Sequence, residues 1–298
     1  MTPNVESRST GALLVAGAAL LWSTGGLLFR HIKGAEDWTI NFWRAVFLVA
    51  ALLLVIAVME RGRVIGAFMR AGWRGLASGL CFGVMMTGFM LALARTSVAN
   101  VMMLMAAAPF FAALLAWAML GERPRAAVWL TMIAAAGGIA LMVATDLGRG
   151  ALAGNLLALL IAFAAAVNIV ILRGARTVNM VPAIAIGGIL AALVSLPLAD
   201  HVGAAGTNLV LIFLLGVVQL GGGAALYVFG ARHLPAAEVT LIAMLESVLA
   251  PLWVWLILDE TPTLYALLGG GVVLAAVVAL TLSAARGRAV ARAVLPAA

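Results

Sequence analysis

The chain has 298 residues, of which 65% are hydrophobic and only 10% charged. Soluble domains carry roughly 25% charged residues, so this composition excludes a soluble protein, and the connections between apolar runs are too short for a soluble domain. The net charge of +7 therefore reads as loop charge that orients a membrane protein, not as a nucleic-acid surface.

The first apolar run, 11–29, contains Trp22, Ser23 and Thr24 as a polar-aromatic cluster about half-way along. It is long and no A-x-A pattern follows it, so it reads as a retained span and not a cleaved signal. The second, 38–59, carries Arg44 two turns in, after Asn41, Phe42 and Trp43. Arg44 could snorkel to the interface, where Trp38 and Trp43 are suitable anchors, or bind a carboxylate; snorkelling is favoured. The third, 75–93, has Gly75, Gly79 and Gly83 at four-residue spacing, a face for close helix approach. It also holds Cys81, the single cysteine, which can form no internal disulfide. The fourth, 99–120, begins at Asn100 and includes Pro109, expected to kink it. Met85, Met86, Met102, Met103 and Met105 crowd the third and fourth runs. They suit either core packing, which is favoured, or a pocket for varied apolar shapes.

A fifth run, 126–144, contains Gly137 and Gly138, and a sixth, 154–172, contains Asn168 in mid-span. The seventh is 181–198. The eighth, 208–230, carries Gly216, Gln219, Gly221 to Gly223 and Tyr227. The ninth, 236–258, holds Glu246 about eleven residues in, then Pro251, expected to kink it, and Trp253. The tenth is 264–283. Lipid cannot satisfy an open strand edge, so all ten runs must be helices. A lone ionised carboxylate near the midplane costs on the order of several kcal/mol, so Glu246 must face protein or water, be paired, or be protonated. It reads equally as a contact for a cargo ammonium, a proton-coupling site, or a bond holding helices together.

With the N-terminus cytoplasmic, the inside segments carry 13 basic residues and the outside loops four: Arg30, Lys33, Arg95 and Arg149. This bias places both termini in the cytoplasm.

The second five spans repeat the first five. AALLAWAMLGERP at 112–124 matches APLWVWLILDETP at 250–262, aligning Trp117 with Trp255, Glu122 with Glu260 and Pro124 with Pro262. GALL at 11–14 matches GNLL at 154–157, and Arg30 then falls on Arg173. An odd-numbered unit copied in one chain enters the membrane the other way up, the plan of many secondary transporters. The expected units are 1–149 and 150–298, the latter ending in a cytoplasmic tail. Glu122 and Glu260 read as structural caps for the helix that follows each, with one on each side of the membrane.

The three histidines, His31, His201 and His233, lie in loops without metal-ligand spacing. No nucleotide or hydrolase motif occurs, so no cofactor, metal or enzymatic activity is expected. A non-transporting scaffold would tolerate the repeats without an open cavity.

LLWSTGGLLFR at 20–30, the run from Pro109 to Pro124 with Trp117 and Glu122, and LES to DETP from Leu245 to Pro262 carry a family resemblance. The chain resembles the drug/metabolite transporter superfamily, with two EamA-type repeats, and is most similar to the YddG-type aromatic amino acid exporters of the bacterial inner membrane. Members commonly have proline after the span 9 glutamate; here Ser247 stands there. The resemblance implies an all-α membrane fold: spans 1–4 and 6–9 form a basket around a central cavity, with spans 5 and 10 as outer supports. It implies efflux of amino acids by alternating access, with cationic compounds such as methyl viologen as the alternative cargo. The cargo partner is a small molecule, nucleic acid is not one, and a monomer is the simplest assembly.

The candidate substrate-binding residues are Trp22, Ser23, Asn168, Gln219, Tyr227, Glu246 and Trp253. Glu246 and Trp253 are two turns apart on one helical face. Aromatic faces suit apolar side chains or cations, and the amide and hydroxyl groups suit an amino acid backbone.

Overall fold

Apolar runs that must satisfy their own backbone leave helices as the building material, and every described element is helical. The computed structural model describes residues 5–121, 126–144, 151–173, 180–200, 207–231, 233–234, 239 and 242–294. Six helices are long and apolar enough to cross a membrane, and four shorter apolar helices accompany them.

Span 1 is two helices, α1 (Val5–Ser23) and α2 (Gly25–His31), broken at Thr24. Ser23 and Thr24 turn their hydroxyls back onto the carbonyls of Leu20 and Leu21, both at 2.7 Å, which competes with the helical ladder and favours a bend. Span 2 is α3 (Asp37–Met59). Span 3 is α4 (Val64–Arg95), bent at Gly72, where φ is 54°. Residues 64–71, expected as loop, are thus helical and expose Ile65 and Met69, with Trp73 just beyond the bend. The left-handed backbone at Gly72 permits this turn without a Cβ clash.

Span 4 divides into α5 (Val98–Met105) and α6 (Ala108–Leu120), with Pro109 in the first turn of α6. Proline costs little there, so it marks the restart of the helix after a break at Ala106 and Ala107. Span 5 is α7 (Ala126–Ala144), span 6 α8 (Leu152–Arg173) and span 7 α9 (Val181–Ser195). Span 8 comprises α10 (Thr207–Phe213), a wide π segment (Leu214–Gly222) and α11 (Gly223–Ala231). Span 9 holds α12 (Leu245–Leu258). Its break falls at Met244 and not at Pro251, which stays inside a continuous helix. Span 10 is α13 (Leu264–Val294), eleven residues longer than the expected span. Alanine and arginine dominate that extension and propagate helix well.

Close approaches fix the helix directions. Gly11 lies against Gly230 and His233, Gly17 against Leu226, and Gly25 against Gln219, so spans 1 and 8 run antiparallel. Ser78 meets Asn168, Gly88 meets Ile161 and Thr96 meets Asn155, so spans 3 and 6 are also antiparallel. Spans 2 and 8 run parallel, through Arg44 with Gly216 and Leu48 with Gly221. Spans 3 and 7 do likewise, through Gly79 with Ile186 and Gly83 with Leu190. Asn41 bonds Thr87 across spans 2 and 3, and the chain turns back between Met59 and Val64, so those two are antiparallel. Span 1 therefore points opposite to span 6. Exchanging the halves converts the pairing of spans 1 and 8 into that of 6 and 3, and 2 with 8 into 7 with 3. Spans 2 and 7, 4 and 9, and 5 and 10 pack on their own counterparts.

The glycine faces make this packing possible. A Cβ on Gly79 or Gly187 would collide with Ile186 or Phe82, so only glycine lets spans 3 and 7 approach so closely. The outward surface is apolar, with Leu13, Val58, Met69 and Leu130 widely exposed, as a lipid-facing surface requires.

One end of the bundle is tied by polar contacts. Arg30 donates to Glu260 (2.8 Å) and to the carbonyls of Leu93 (2.8 Å) and Thr96 (3.0 Å). Glu260 also accepts the Val98 amide at 2.9 Å. Glu260 was expected to cap the helix after it. It instead caps span 4, because Asp259, at φ 53°, reverses the chain and aims Glu260 inward. Thr263 takes over the cap of α13, accepting from the Ala266 amide at 3.1 Å. Glu122, its repeat partner, lies outside the described residues. Arg95 and Asp37 form a looser pair at the same end, 3.6 Å apart. At the opposite end Arg70 pairs with Glu60.

Candidate functional site

Breaks and wide turns at mid-depth leave space that straight helices would fill. A cavity of about 260 Å³ lies there. Its wall draws on spans 1–4 and 6–9 and includes no residue of spans 5 and 10. Those two pack on each other, with Gly138 against the carbonyl of Gly269.

Most of the wall is apolar: Leu48, Leu52, Phe82, Met85, Met86, Phe89, Met105, Ile161, Ile184 and Leu220. Four side chains add polarity, namely Trp22, Arg44, Gln219 and Glu246. Trp22, Gln219 and Glu246 are each placed by an irregular element, whereas Arg44 stands on the continuous helix α3. Trp22 is the penultimate residue of α1, ahead of the Thr24 break, and stacks on Tyr227 with ring centroids 5.3 Å apart. Its indole edge lies against Gly223, where any side chain would clash. Gln219 sits in the π segment, a form that often marks functional positions. Its amide donates to the Trp22 carbonyl at 2.9 Å, while its Oε1 is buried without a partner among the described residues. Glu246 stands in the first turn of α12, just past the Met244 break. A helix N-terminus there offsets part of the cost of a buried negative charge.

Arg44 departs from expectation. It does not snorkel to the interface but is 3% exposed and lines the cavity. Span 8 presses close at this level, because Gly216 has no side chain to meet the Arg44 backbone carbonyl. The guanidinium lies 5.9 Å from the Phe89 ring centroid and makes one long bond, 3.4 Å, to the Met86 carbonyl. Its Nε is buried without an acceptor among the described residues. Among the described residues no ion pair engages Arg44 or Glu246.

Of the seven candidates, Trp22, Gln219 and Glu246 lie on the wall. Ser23, Tyr227 and Trp253 stand behind it. Trp253 donates its indole N–H to the Ser23 hydroxyl at 2.9 Å, tying span 9 to span 1. Asn168 is buried away from the wall, accepting from Ser78 at 2.6 Å. Sequence reasoning passed over Phe82, Phe89 and Ile161, which carry no polar signal within apolar spans. The crowd of methionines was such a signal, and Met85, Met86 and Met105 are on the wall, whereas Met102 and Met103 are core.

One solved structure is similar over 94% of this chain and 99% of its own, with a TM-score of 0.63 and 21% identity. That likeness concerns the fold. No curated protein matches. The model of the EamA-like transporter family matches residues 9–144 and again 152–282. The two matches cover most of the sequence and meet where the two sets of spans join, so the chain belongs to the EamA-like transporter family, in two repeats.

Proposed function

We propose that this transporter exports amino acids, aromatic ones among them and with broad specificity, by alternating access through the central cavity. The observation that carries this reading is the cavity's composition: an apolar wall of methionine and phenylalanine with a cation and a carboxylate that lack ion-pair partners among the described residues. Methionine adapts to varied shapes, which suits a range of side chains. A volume of about 260 Å³ is just below the usual range of ligand cavities, roughly 300–1,000 Å³, and suits a cargo no larger than a single amino acid.

The proposed frame is ten spans in two inverted repeats, residues 1–149 and 150–298, related by an axis in the membrane plane. The opposed directions of spans 1 and 6 support it. The loop charge bias supports cytoplasmic termini in a bacterial inner membrane. The Arg30 and Glu260 contacts would then close the outer end. The substrate-binding set of this proposal is Trp22, Gln219 and Glu246 on the wall, with Ser23, Tyr227 and Trp253 supporting it; Asn168, bonded to Ser78 away from the wall, holds span 6 to span 3.

The second reading is export of organic cations such as methyl viologen, for which Glu246 and the Trp22 face would be the anchors. Arg44 in the same wall opposes it, because a dication would face a fixed positive charge. Counterflow in proteoliposomes decides between them. Labelled phenylalanine or tryptophan should exchange well above protein-free vesicles, and methyl viologen should not. The reverse ranking would replace the first reading with the second.

A further inference from the structure

Arg44 and Glu246 have a consequence that the general reading of amino acid export does not contain, though it rests on that reading. Both charges line one small cavity, one from span 2 and one from span 9. Neither is neutralised by a protein counter-charge among the described residues. Among the described residues, Arg44 keeps a buried donor, Nε, without an acceptor, and Gln219 on the same wall keeps a buried acceptor, Oε1, without a donor. Buried polar groups left unmade are costly, and so persist where a ligand completes them. The missing partners are an anion that accepts at Arg44 and a cation that donates at Glu246 and Gln219.

We propose that Arg44 and Glu246 form a two-point site for the head group of a free α-amino acid, with the carboxylate on Arg44 and the ammonium on Glu246. The side chain then lies among Phe82, Met85, Met86 and Phe89. Arginine presents a planar fork of donors matched to a carboxylate, and lysine would not reproduce it. Specificity follows from the same arithmetic. A ligand with only the ammonium leaves Arg44 buried and unpaired, and one with only the carboxylate leaves Glu246 without a counter-charge. Sites built on polar pairing reject analogues that lack one partner far more strongly than apolar pockets reject a changed methylene. The site thus selects the head group tightly and the side chain loosely.

The test uses full-length protein in proteoliposomes exchanging labelled phenylalanine. Unlabelled phenylalanine, phenethylamine, which lacks the carboxylate, and 3-phenylpropionate, which lacks the ammonium, compete in turn. Both analogues should compete at least about tenfold more weakly than phenylalanine. Arg44→Gln should raise the relative standing of phenethylamine, and Glu246→Gln that of 3-phenylpropionate. Each variant thus relaxes a different half of the head-group requirement, which a merely structural residue would not do. The wild-type series needs no variant to fold. Equal competition by phenethylamine and phenylalanine in the wild type would overturn the two-point site while leaving amino acid transport intact. Absence of any phenylalanine exchange would overturn the amino acid reading itself, and the site with it.

Discussion

Single residues set the cavity's character, and the clearest case is a residue with no side chain. A Cβ on Gly216 would stand 2.6 Å from the Arg44 carbonyl oxygen, inside van der Waals contact with rigid backbone. Gly216→Ala should therefore separate spans 2 and 8. It should cost about 1–3 kcal/mol, read as a lower melting temperature of the purified protein in detergent. An unchanged melting temperature would show that span 8 is free to shift. Trp253→Phe is the milder change, because it removes only the bond to Ser23. Interhelical bonds in membranes average about 0.6 kcal/mol, so the variant should accumulate normally and melt within a few degrees of the wild type. At this scale the sequence was legible where polarity stood out against an apolar run. Trp22, Gln219 and Glu246 stood out in that way. Arg44 did not read correctly, because a basic residue two turns from a span end normally snorkels. Its inward direction is a matter of three-dimensional packing that the sequence of one span does not carry. The aromatic and aliphatic wall was not legible at all, since Phe82 or Ile161 looks like any other residue of its span.

Among the elements, the breaks matter more than the helices. Spans 1, 4 and 9 each restart at mid-depth, and span 8 widens into a π segment, all beside the cavity. Pro109 announced one of these irregularities, while the glycine run beside Gln219 read as close packing and gave no warning of the π segment. The break in span 9 carried no proline at the matching position: Ser247 stands there, and its amide bonds the Met244 carbonyl at 3.0 Å as an ordinary first turn. The architecture of the repeat keeps the break where the local sequence does not demand it. That is why Pro251 was a misleading sign. The contacts of Arg30 and Glu260 join the ends of spans 1 and 9 to the start of span 4. Glu260→Gln should weaken this tie and raise the population open at that end. With Cys81 replaced by serine and a cysteine placed at Met105, on the cavity wall, labelling from that end should be several times faster in Glu260→Gln. Equal rates would mean that the ion pair holds no part of the closure.

For the whole molecule, the repeat was legible because Trp117 with Trp255, and Pro124 with Pro262, are expensive matches in an alanine-rich and leucine-rich chain. The proposed inversion rests on counting, since five spans per copy would not return to the starting side. The packing adds opposed directions for spans 1 and 6. Orientation rests on loop charge, and Lys33→Cys and Arg63→Cys test it in intact cells. A membrane-impermeant maleimide should label residue 33 and not residue 63, and the opposite pattern would turn the protein over. The centre of the account is that amino acids cross through the one cavity bounded by spans 1–4 and 6–9. Ala224 belongs to its wall, and tryptophan at that position should fill the space. The most direct measurement is counterflow of labelled phenylalanine by wild-type and Ala224→Trp protein reconstituted in equal, verified amounts. The account predicts exchange by the wild type and none above protein-free vesicles by Ala224→Trp. Wild-type exchange that persists undiminished with the cavity filled would contradict it.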